Sequence, residues 1–206
     1  YLAGECSTTS LTEKTRRLGI RANPKARVYG LPLIASHVGA DTAAALVAMD
    51  MASQKETVML IDVGTNTEVV IGHAGRMLAA SCPAGPAFEG GLIKYGMPGY
   101  DGAVESVRWA DGQFEYDTIG GTQPHGLCGS GLIDLLAELR RHDQMTPKGV
   151  FADKKQYELT VIPEYGITLS REDASNLAQA KAANYCGQFI LIRHFGISPL
   201  DITECY

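Results

Sequence analysis

The chain has 206 residues, of which 45% are apolar and 20% charged, and its formal net charge is −5. A chain of this length buries roughly 70% of its unfolded surface and forms one large domain or two small ones. Charges of both signs are interspersed, which argues against a surface for nucleic acid or for an anionic membrane. No apolar run approaches the roughly 20 residues of a membrane helix.

The cysteines favour a reducing compartment. There are five, at positions 6, 82, 128, 186 and 205, an odd number without close pairs. This pattern indicates neither a disulfide framework nor a zinc site, so we expect a cytoplasmic protein. The first residue is Tyr1, not Met, and residues 202–206 have the composition of a strand that is just beginning. We therefore expect the chain to be a piece of something longer.

The first predicted elements lie before residue 57. Residues 12–18 are compatible with a short helix. Further along, Asp41 precedes an alanine-rich stretch over residues 42–51, and Asp is a favourable N-cap for a helix of this composition. Because that stretch is small and apolar on nearly all sides, we expect it to pack on more than one face and to connect two layers of the protein.

A hairpin with a carboxylate at its mouth is predicted over residues 57–71. The β-prone run 58–61 leads to Asp62, and a second β-branched run, 69–71, leaves the turn. Gly64 permits close backbone approach, and residues 65–67 (Thr-Asn-Thr) offer hydroxyls, an amide and backbone donors, which suit a phosphate oxygen or its metal ion. A hairpin turn without any ligand explains the same residues equally well, because turns are usually polar.

A third strand, residues 76–82, follows and ends in a loop, residues 83–91, that is rich in proline and glycine. Glu89 lies there either beside a ligand or as a charge near a helix start, and the residues alone favour the second interpretation. Next, residues 103–109 and 113–119 alternate around Asp111-Gly112, which predicts an inserted surface hairpin.

A glycine-rich loop, residues 120–131, opens onto a predicted helix at 132–141. Free N–H groups and the helix dipole make such a junction an anion-binding geometry. Within the loop, His125 and Cys128 allow a metal or nucleophile pair, but no further ligand is near in sequence and loop packing is favoured.

The last predicted helix begins at a capping-box pattern and ends before a glycine. Residues 170–173 (Ser-Arg-Glu-Asp) have Asp in place of the usual Glu, and the helix runs to Phe195 before Gly196. Residues 158–162 are compatible with a strand, and a final strand is predicted at residues 202–206.

The order of these elements resembles the second half of the actin-like ATPase fold that sugar and acetate kinases, heat-shock chaperones and actin share. Four segments narrow the resemblance to the ATPase domain of the reductive activators of corrinoid proteins. Three are residues 60–72 (LIDVGTNTEVVIG), 84–91 (AGPAFEGG) and 126–139 (GLCGSGLIDLLAEL), and the fourth is residues 178–183 with the preceding residues 167–173.

The resemblance implies an α/β fold, an actin-like (ribonuclease H-like) ATPase lobe whose mixed sheet has helices on both faces and an inserted β-hairpin. It implies three parts: residues 1–38 from the end of a preceding lobe, residues 39–56 as a crossing helix and linker, and residues 57–206 as the second lobe.

The resemblance also implies a function, namely ATP-dependent one-electron reduction of Co(II) corrinoid to Co(I) in the corrinoid protein of a methyltransferase system. The cofactors implied are ATP and Mg²⁺, with a two-iron two-sulfur cluster in a separate N-terminal domain, because this chain lacks the cysteine spacing for it. The fragment alone is expected to be inactive, and dimerisation is left open. A small-molecule kinase of the same superfamily and a non-catalytic interaction domain are the alternatives.

The site residues follow from the same resemblance. Asp62 is the predicted catalytic residue and binds Mg²⁺ through water. The nucleotide-binding residues that it implies are Gly64, Thr65, Asn66, Thr67, Glu89, Gly90, Gly91, Gly129, Ser130 and Gly131.

Overall fold

The computed structural model describes residues 10–35 and 37–206. Its helices and strands, in chain order, are β1 (Leu11–Lys14), β2 (Arg27–Gly30), α1 (Ala40–Ala48), β3 (Val58–Val63), β4 (Asn66–His73), β5 (Arg76–Pro83), β6 (Ala103–Ala110), β7 (Gln113–Thr118), β8 (Gly126–Leu127), α2 (Gly129–Arg141), β9 (Glu158–Ile162), β10 (Ile167–Ser170), α3 (Arg171–Phe195) and β11 (Glu204–Cys205). These elements fall into two compact units. The described part of the first covers residues 10–35, 37–62, 68–81 and 187–206, and the second covers residues 63–67 and 82–186.

The first unit is organised around a mixed sheet. Its strand order is β11-β3-β4-β5. The two-residue connections between β3, β4 and β5 join them as antiparallel hairpins, whereas β11 runs parallel to β3. A sheet that combines antiparallel and parallel pairs is mixed, so the mixed sheet that the resemblance to the actin-like fold implies is confirmed. The final strand is shorter than predicted, residues 204–205 rather than 202–206.

Helical segments cover both faces of this sheet, because successive side chains of a strand point to opposite sides. On one face the strands pack against the end of α3, and the buried residues there are Met59, Val69, Ile71, Leu191, Ile192 and Phe195. On the other face the buried residues are Met51, Val58, Leu60 and Val70, with α1 residues Ala45 and Leu46 partly buried against them. The prediction of helices on both faces is therefore confirmed.

The start of α1 differs from the prediction. Gly39 is the N-cap, and Asp41 lies inside the first turn, where its carboxylate accepts a 2.8 Å hydrogen bond from the N–H of Thr42. The prediction that α1 packs on more than one face is also wrong within this unit. Thr42 and Ala43 are buried, but Val47 is 79% exposed. The predicted helix over residues 12–18 is replaced by β1 and one 3-10 turn, since β1 pairs with β2.

The second unit carries the predicted inserted hairpin. β6 pairs with β7 on one edge and with β8 on the other. The two residues between β6 and β7, Asp111 and Gly112, have φ values of 48° and 86°, the left-handed conformations that a tight hairpin turn requires. α2 packs on β6, and the core beneath it includes the fully buried leucines at positions 132, 135 and 169.

Two carboxylates hold α2 on β6. Asp134 accepts a 3.2 Å hydrogen bond from the N–H of Val107, and Glu138, only 4% exposed, accepts one of 3.3 Å from the N–H of Trp109. Burial raises the pKa of Glu138, but hydrogen bonds from the Trp109 N–H and the guanidinium of Arg141 outweigh it and leave the pKa below its usual range. The charged carboxylate therefore remains paired at the helix end.

The start of α3 is a reciprocal capping box. The N–H of Asp173 donates to the Ser170 hydroxyl oxygen at 3.0 Å, and the N–H of Ser170 donates to the Asp173 carboxylate at 2.8 Å. Asp173 is buried and also accepts from the N–H of Lys94, at 2.8 Å. The helix ends at Phe195 and is followed by Gly196, whose φ is 85°. Among residues 10–35 and 37–206, neither α3 nor any other helix has the length and apolar character to cross a membrane.

Replacement of Ser170 by Ala tests the cap. Loss of a Ser N-cap costs about 1 kcal/mol, and we expect the free energy of unfolding to fall by that amount. Thermal and urea unfolding measure it. Ser175→Ala is the matched control, because Ser175 is an exposed serine within the same helix, where Ala is at least as favourable. Equal stability of the two variants would contradict a capping role for Ser170.

Candidate functional site

The connection between β3 and β4 carries the predicted phosphate-binding residues. Asp62 lies near the end of β3, and its side chain is exposed. Gly64 and Thr65 form the connection, and a Cβ built on Gly64 would lie 3.1 Å from the carbonyl oxygen of Asn66. The turn is therefore tight enough to favour glycine. The side chains of Thr65 and Asn66 are exposed and accessible to a ligand.

Glu89 lies directly beside this turn. Its carboxylate accepts a hydrogen bond from the Thr65 hydroxyl, and its Oε1 lies 3.8 Å from a Cβ built on Gly64. The backbone joins the same two segments, because the N–H of Gly85 donates to the carbonyl of Thr65 at 2.9 Å. Glu89 ends the 3-10 turn Pro86–Glu89. Two motifs that are separated in sequence thus meet at one place in the second unit.

Thr67 differs from its neighbours. Its side chain is completely buried, and its Oγ1 accepts a 3.3 Å hydrogen bond from Nδ2 of Asn184 on α3. The predicted contact between the Thr67 hydroxyl and a phosphate oxygen does not agree with this position, because the side chain faces the protein interior. The composition of the turn does not distinguish Thr67 from the exposed Thr65. Thr65 lies in the connection, whereas Thr67 lies within β4, where it contacts Asn184 of α3.

Gly90 and Gly91 have a packing reason to be glycine. A Cβ on Gly90 would lie 2.4 Å from the backbone nitrogen of Met97, and one on Gly91 would lie 2.7 Å from the Cβ of Pro86. The φ of Gly90 is also 84°. Both residues therefore allow the chain to fold back tightly after Glu89, and the space beside their Cα atoms is occupied by protein.

Close backbone approach also explains the glycines at the start of α2. A Cβ on Gly129 would lie 2.2 Å from the carbonyl oxygen of Phe88, and one on Gly131 would lie 2.2 Å from that of Val104. The predicted start of this helix at residue 132 is therefore three residues late, because Gly129 and Gly131 are helical. Ser130 between them is exposed. The α2 N-terminus thus packs against the residue that precedes Glu89.

Neither cysteine of this region belongs to a metal cluster. Cys128 is the N-cap residue of α2 and its buried sulfur contacts the Ser130 hydroxyl at 3.3 Å, while the sulfur of Cys82 donates to the carbonyl of Thr67 at 3.3 Å. In the part of the chain that the structure describes, no three His, Cys, Asp or Glu side chains are grouped so as to hold a metal ion. The buried sulfur of Cys128 also contacts the carbonyl of Val104 at 3.4 Å, as expected for a residue that packs within the loop.

Sequence reasoning missed three contributors to this region. Gly85 and Phe88 act through backbone groups, and Asn184 acts through its side chain. Asn184 and Thr67 are 117 residues apart, so no local pattern connects them. The prolines and glycines of residues 83–91 were the one usable signal, because they predict a sharp turn at which backbone groups come close.

Known proteins resemble this chain along most of its length. Residues 56–206 match the family described as the C-terminal domain of RACo, the ASKHA domain, and residues 5–54 match the RACo middle region. The corrinoid activation enzyme RamQ of Eubacterium limosum is 32% identical over 205 residues, 88% of this chain and 34% of that protein. The [Co(II) methylated amine-specific corrinoid protein] reductase of Methanosarcina barkeri is 26% identical over 240 residues, 99% of this chain and 43% of that protein.

A solved structure agrees with the sequence matches. It is a reductive activator for corrinoid, iron-sulfur protein, which superposes with a TM-score of 0.84 at 32% identity and covers 97% of this chain and 35% of its own. The chain thus spans about a third to two fifths of the length of the relatives it matches. Because one family model covers residues 56–206 and another residues 5–54 in the same order as in RACo, the chain belongs to the RACo family of corrinoid reductive activators, with an actin-like C-terminal domain.

Proposed function

We propose that this chain is the ATPase part of a protein that drives ATP-dependent, one-electron reduction of Co(II) corrinoid to Co(I) in the corrinoid protein of a methyltransferase system. The observation that carries the proposal is the match of two consecutive RACo regions to residues 5–54 and 56–206. Relatives from two organisms support it, since both are named for action on corrinoid proteins. The corrinoid protein is the proposed partner.

The nucleotide phosphates bind, in this proposal, at the turn between β3 and β4. Asp62 holds the Mg²⁺ of MgATP through a water molecule and is the catalytic residue. The exposed side chains of Thr65 and Asn66 contact phosphate oxygens, and Gly64 lets the ligand approach the backbone. When bound, ATP supplies the free energy for a reduction that is otherwise unfavourable.

The residues present fit Mg²⁺ with one protein carboxylate. This ion commonly keeps several waters and needs few protein carboxylates beside the substrate phosphates, so an exposed Asp62 that holds one of those waters is sufficient. An iron–sulfur cluster does not fit the described residues, because they contain no cluster of metal-ligating side chains. We assign that cluster to a separate N-terminal domain of the whole protein.

The remaining predicted residues enter the proposal in a different role. Gly90, Gly91 and Gly129 allow close packing in the segment around Glu89, and Gly131 allows it beside Val104. Ser130 lies exposed at the start of α2. Thr67 anchors the base of the turn to α3 through Asn184. Cytoplasmic location, the division into residues 1–38, 39–56 and 57–206, and dimerisation stay predictions.

The full-length protein tests the proposed activity. We expect it to convert a purified Co(II) corrinoid protein to the Co(I) form only when both a one-electron reductant and MgATP are present, because ATP binding and hydrolysis drive the step. The absorption spectra of the two cobalt states follow the reaction. The matched control omits ATP or replaces it with a non-hydrolysable analogue. Reduction at the same rate and to the same extent without ATP would refute the proposal.

A further inference from the structure

The hydroxyl of Thr65 has a single proton, and in this structure that proton is donated to Glu89. An ionised carboxylate accepts hydrogen bonds and donates none, and the same is true of the oxygens of a nucleotide phosphate. The two acceptors therefore require the same proton. The Thr65 hydroxyl cannot donate to a phosphate oxygen while Glu89 holds it.

The charge of Glu89 adds to this conflict. No Lys or Arg among residues 10–35 and 37–206 forms an ion pair with its carboxylate. A phosphate bound at the adjacent turn would therefore face a carboxylate that forms no ion pair with a described Lys or Arg. Both effects oppose binding of the phosphate while Glu89 keeps its present position.

The backbone around Glu89 keeps this contact in place. Gly85 is hydrogen-bonded to the carbonyl of Thr65, and the approach of Gly90 to Met97 leaves no room for a larger residue. The N–H of Gly91 also donates to the carbonyl of Pro86 at 2.8 Å and closes the turn. The backbone that carries Glu89 is thus fixed relative to Thr65.

The side chain of Glu89, by contrast, is exposed. It can rotate into water, where the carboxylate is well solvated, without disturbing any buried contact. Because the backbone of Glu89 is fixed while its side chain can leave, the contact with Thr65 is reversible. We propose that Glu89 is a positioning residue that competes with the nucleotide phosphate for the Thr65 hydroxyl, so that binding of the nucleotide must displace it. This inference rests on the proposed function, because it requires that the β3–β4 turn binds a nucleotide phosphate.

Removal of the competitor tightens nucleotide binding. For Glu89→Ala in the full-length protein we expect the Kd of MgATP to fall about three- to tenfold, which corresponds to the net free energy of one hydrogen bond. Alanine is chosen because it offers no donor of its own to the phosphate. Isothermal titration calorimetry measures the Kd. Glu115→Ala is the matched control, since it removes the same charge from an exposed position of the same unit, and its Kd should equal that of the wild type.

A double-mutant cycle separates competition for the hydroxyl from general repulsion. If Glu89 acts mainly through Thr65, Glu89→Ala tightens binding much less when Thr65 is already Ala, and only the part due to the Glu89 charge remains. An equal gain in the Thr65→Ala background overturns the proposal, as does an unchanged or weaker affinity of Glu89→Ala. If neither the wild type nor Glu89→Ala binds MgATP, the proposed function itself fails and the competition fails with it. Binding by the wild type with no gain in the variant overturns the role of Glu89 alone.

Discussion

Asp62→Ala in the full-length protein should reduce the rate of ATP-dependent corrinoid reduction at least about 100-fold, the size of effect seen when one preorganised electrostatic group is lost from an active site. The reason is that Asp62 is the only residue that we assign to the Mg²⁺ of MgATP. The thermal midpoint should stay within one or two degrees of the wild type, because the side chain is exposed and no cap or buried contact is removed. The Co(I) absorption and a melting curve provide the two measurements.

Glu56→Ala is the control for Asp62→Ala. Glu56 is an exposed carboxylate just before the opposite end of β3, so its removal changes the net charge equally without touching the turn. We expect its activity to equal that of the wild type. Full activity of Asp62→Ala would remove the β3–β4 turn from the proposed site. Loss of activity together with a lower melting temperature would instead indicate a structural role for this carboxylate.

Gly131→Ala should lower the free energy of unfolding by about 2 kcal/mol, within the range for overpacked interiors. Inside a helix, alanine is normally better than glycine by roughly 0.5–1 kcal/mol, so the expected sign is opposite to that of helix propensity. The clash outweighs helix propensity, because the new Cβ would lie 2.2 Å from the carbonyl oxygen of Val104 and a backbone atom cannot rotate away. Urea unfolding of the wild type and the variant measures the difference.

The same substitution distinguishes packing from nucleotide binding at the start of α2. If Gly131 serves mainly to let a phosphate approach, Gly131→Ala should keep its stability and lose affinity for MgATP. If Gly131 serves mainly in packing, Gly131→Ala should lose stability rather than affinity for MgATP. Ser130→Ala is the control, because Ser130 is exposed on the same turn and we expect its stability to change by no more than about 0.5 kcal/mol.

Local patterns were sufficient for most of the elements. The β3–β4 hairpin, the inserted β6–β7 hairpin and the capping box at Ser170 depend on contacts between residues close in sequence, and each was predicted. The start of α2 was predicted late because glycine is unfavourable in a helix, and only the nearby carbonyls of Phe88 and Val104 explain why it is present. For α1, the composition suggested burial on several faces, but the number of buried faces depends on which elements the folded unit places around the helix.

Sequence alone determined the order of the longer elements after residue 40, the mixed α/β class and, through four separated motifs, the resemblance to corrinoid activators. It also drew attention to Asp62 and Thr65 in a polar turn around Gly64, and the resemblance added Glu89 to the predicted site. Only the tertiary structure decided that Thr65 meets Glu89 while Thr67 turns inward to Asn184. The physical reason is that these contacts join residues 24 and 117 positions apart, and chain folding, not local composition, brings such residues together.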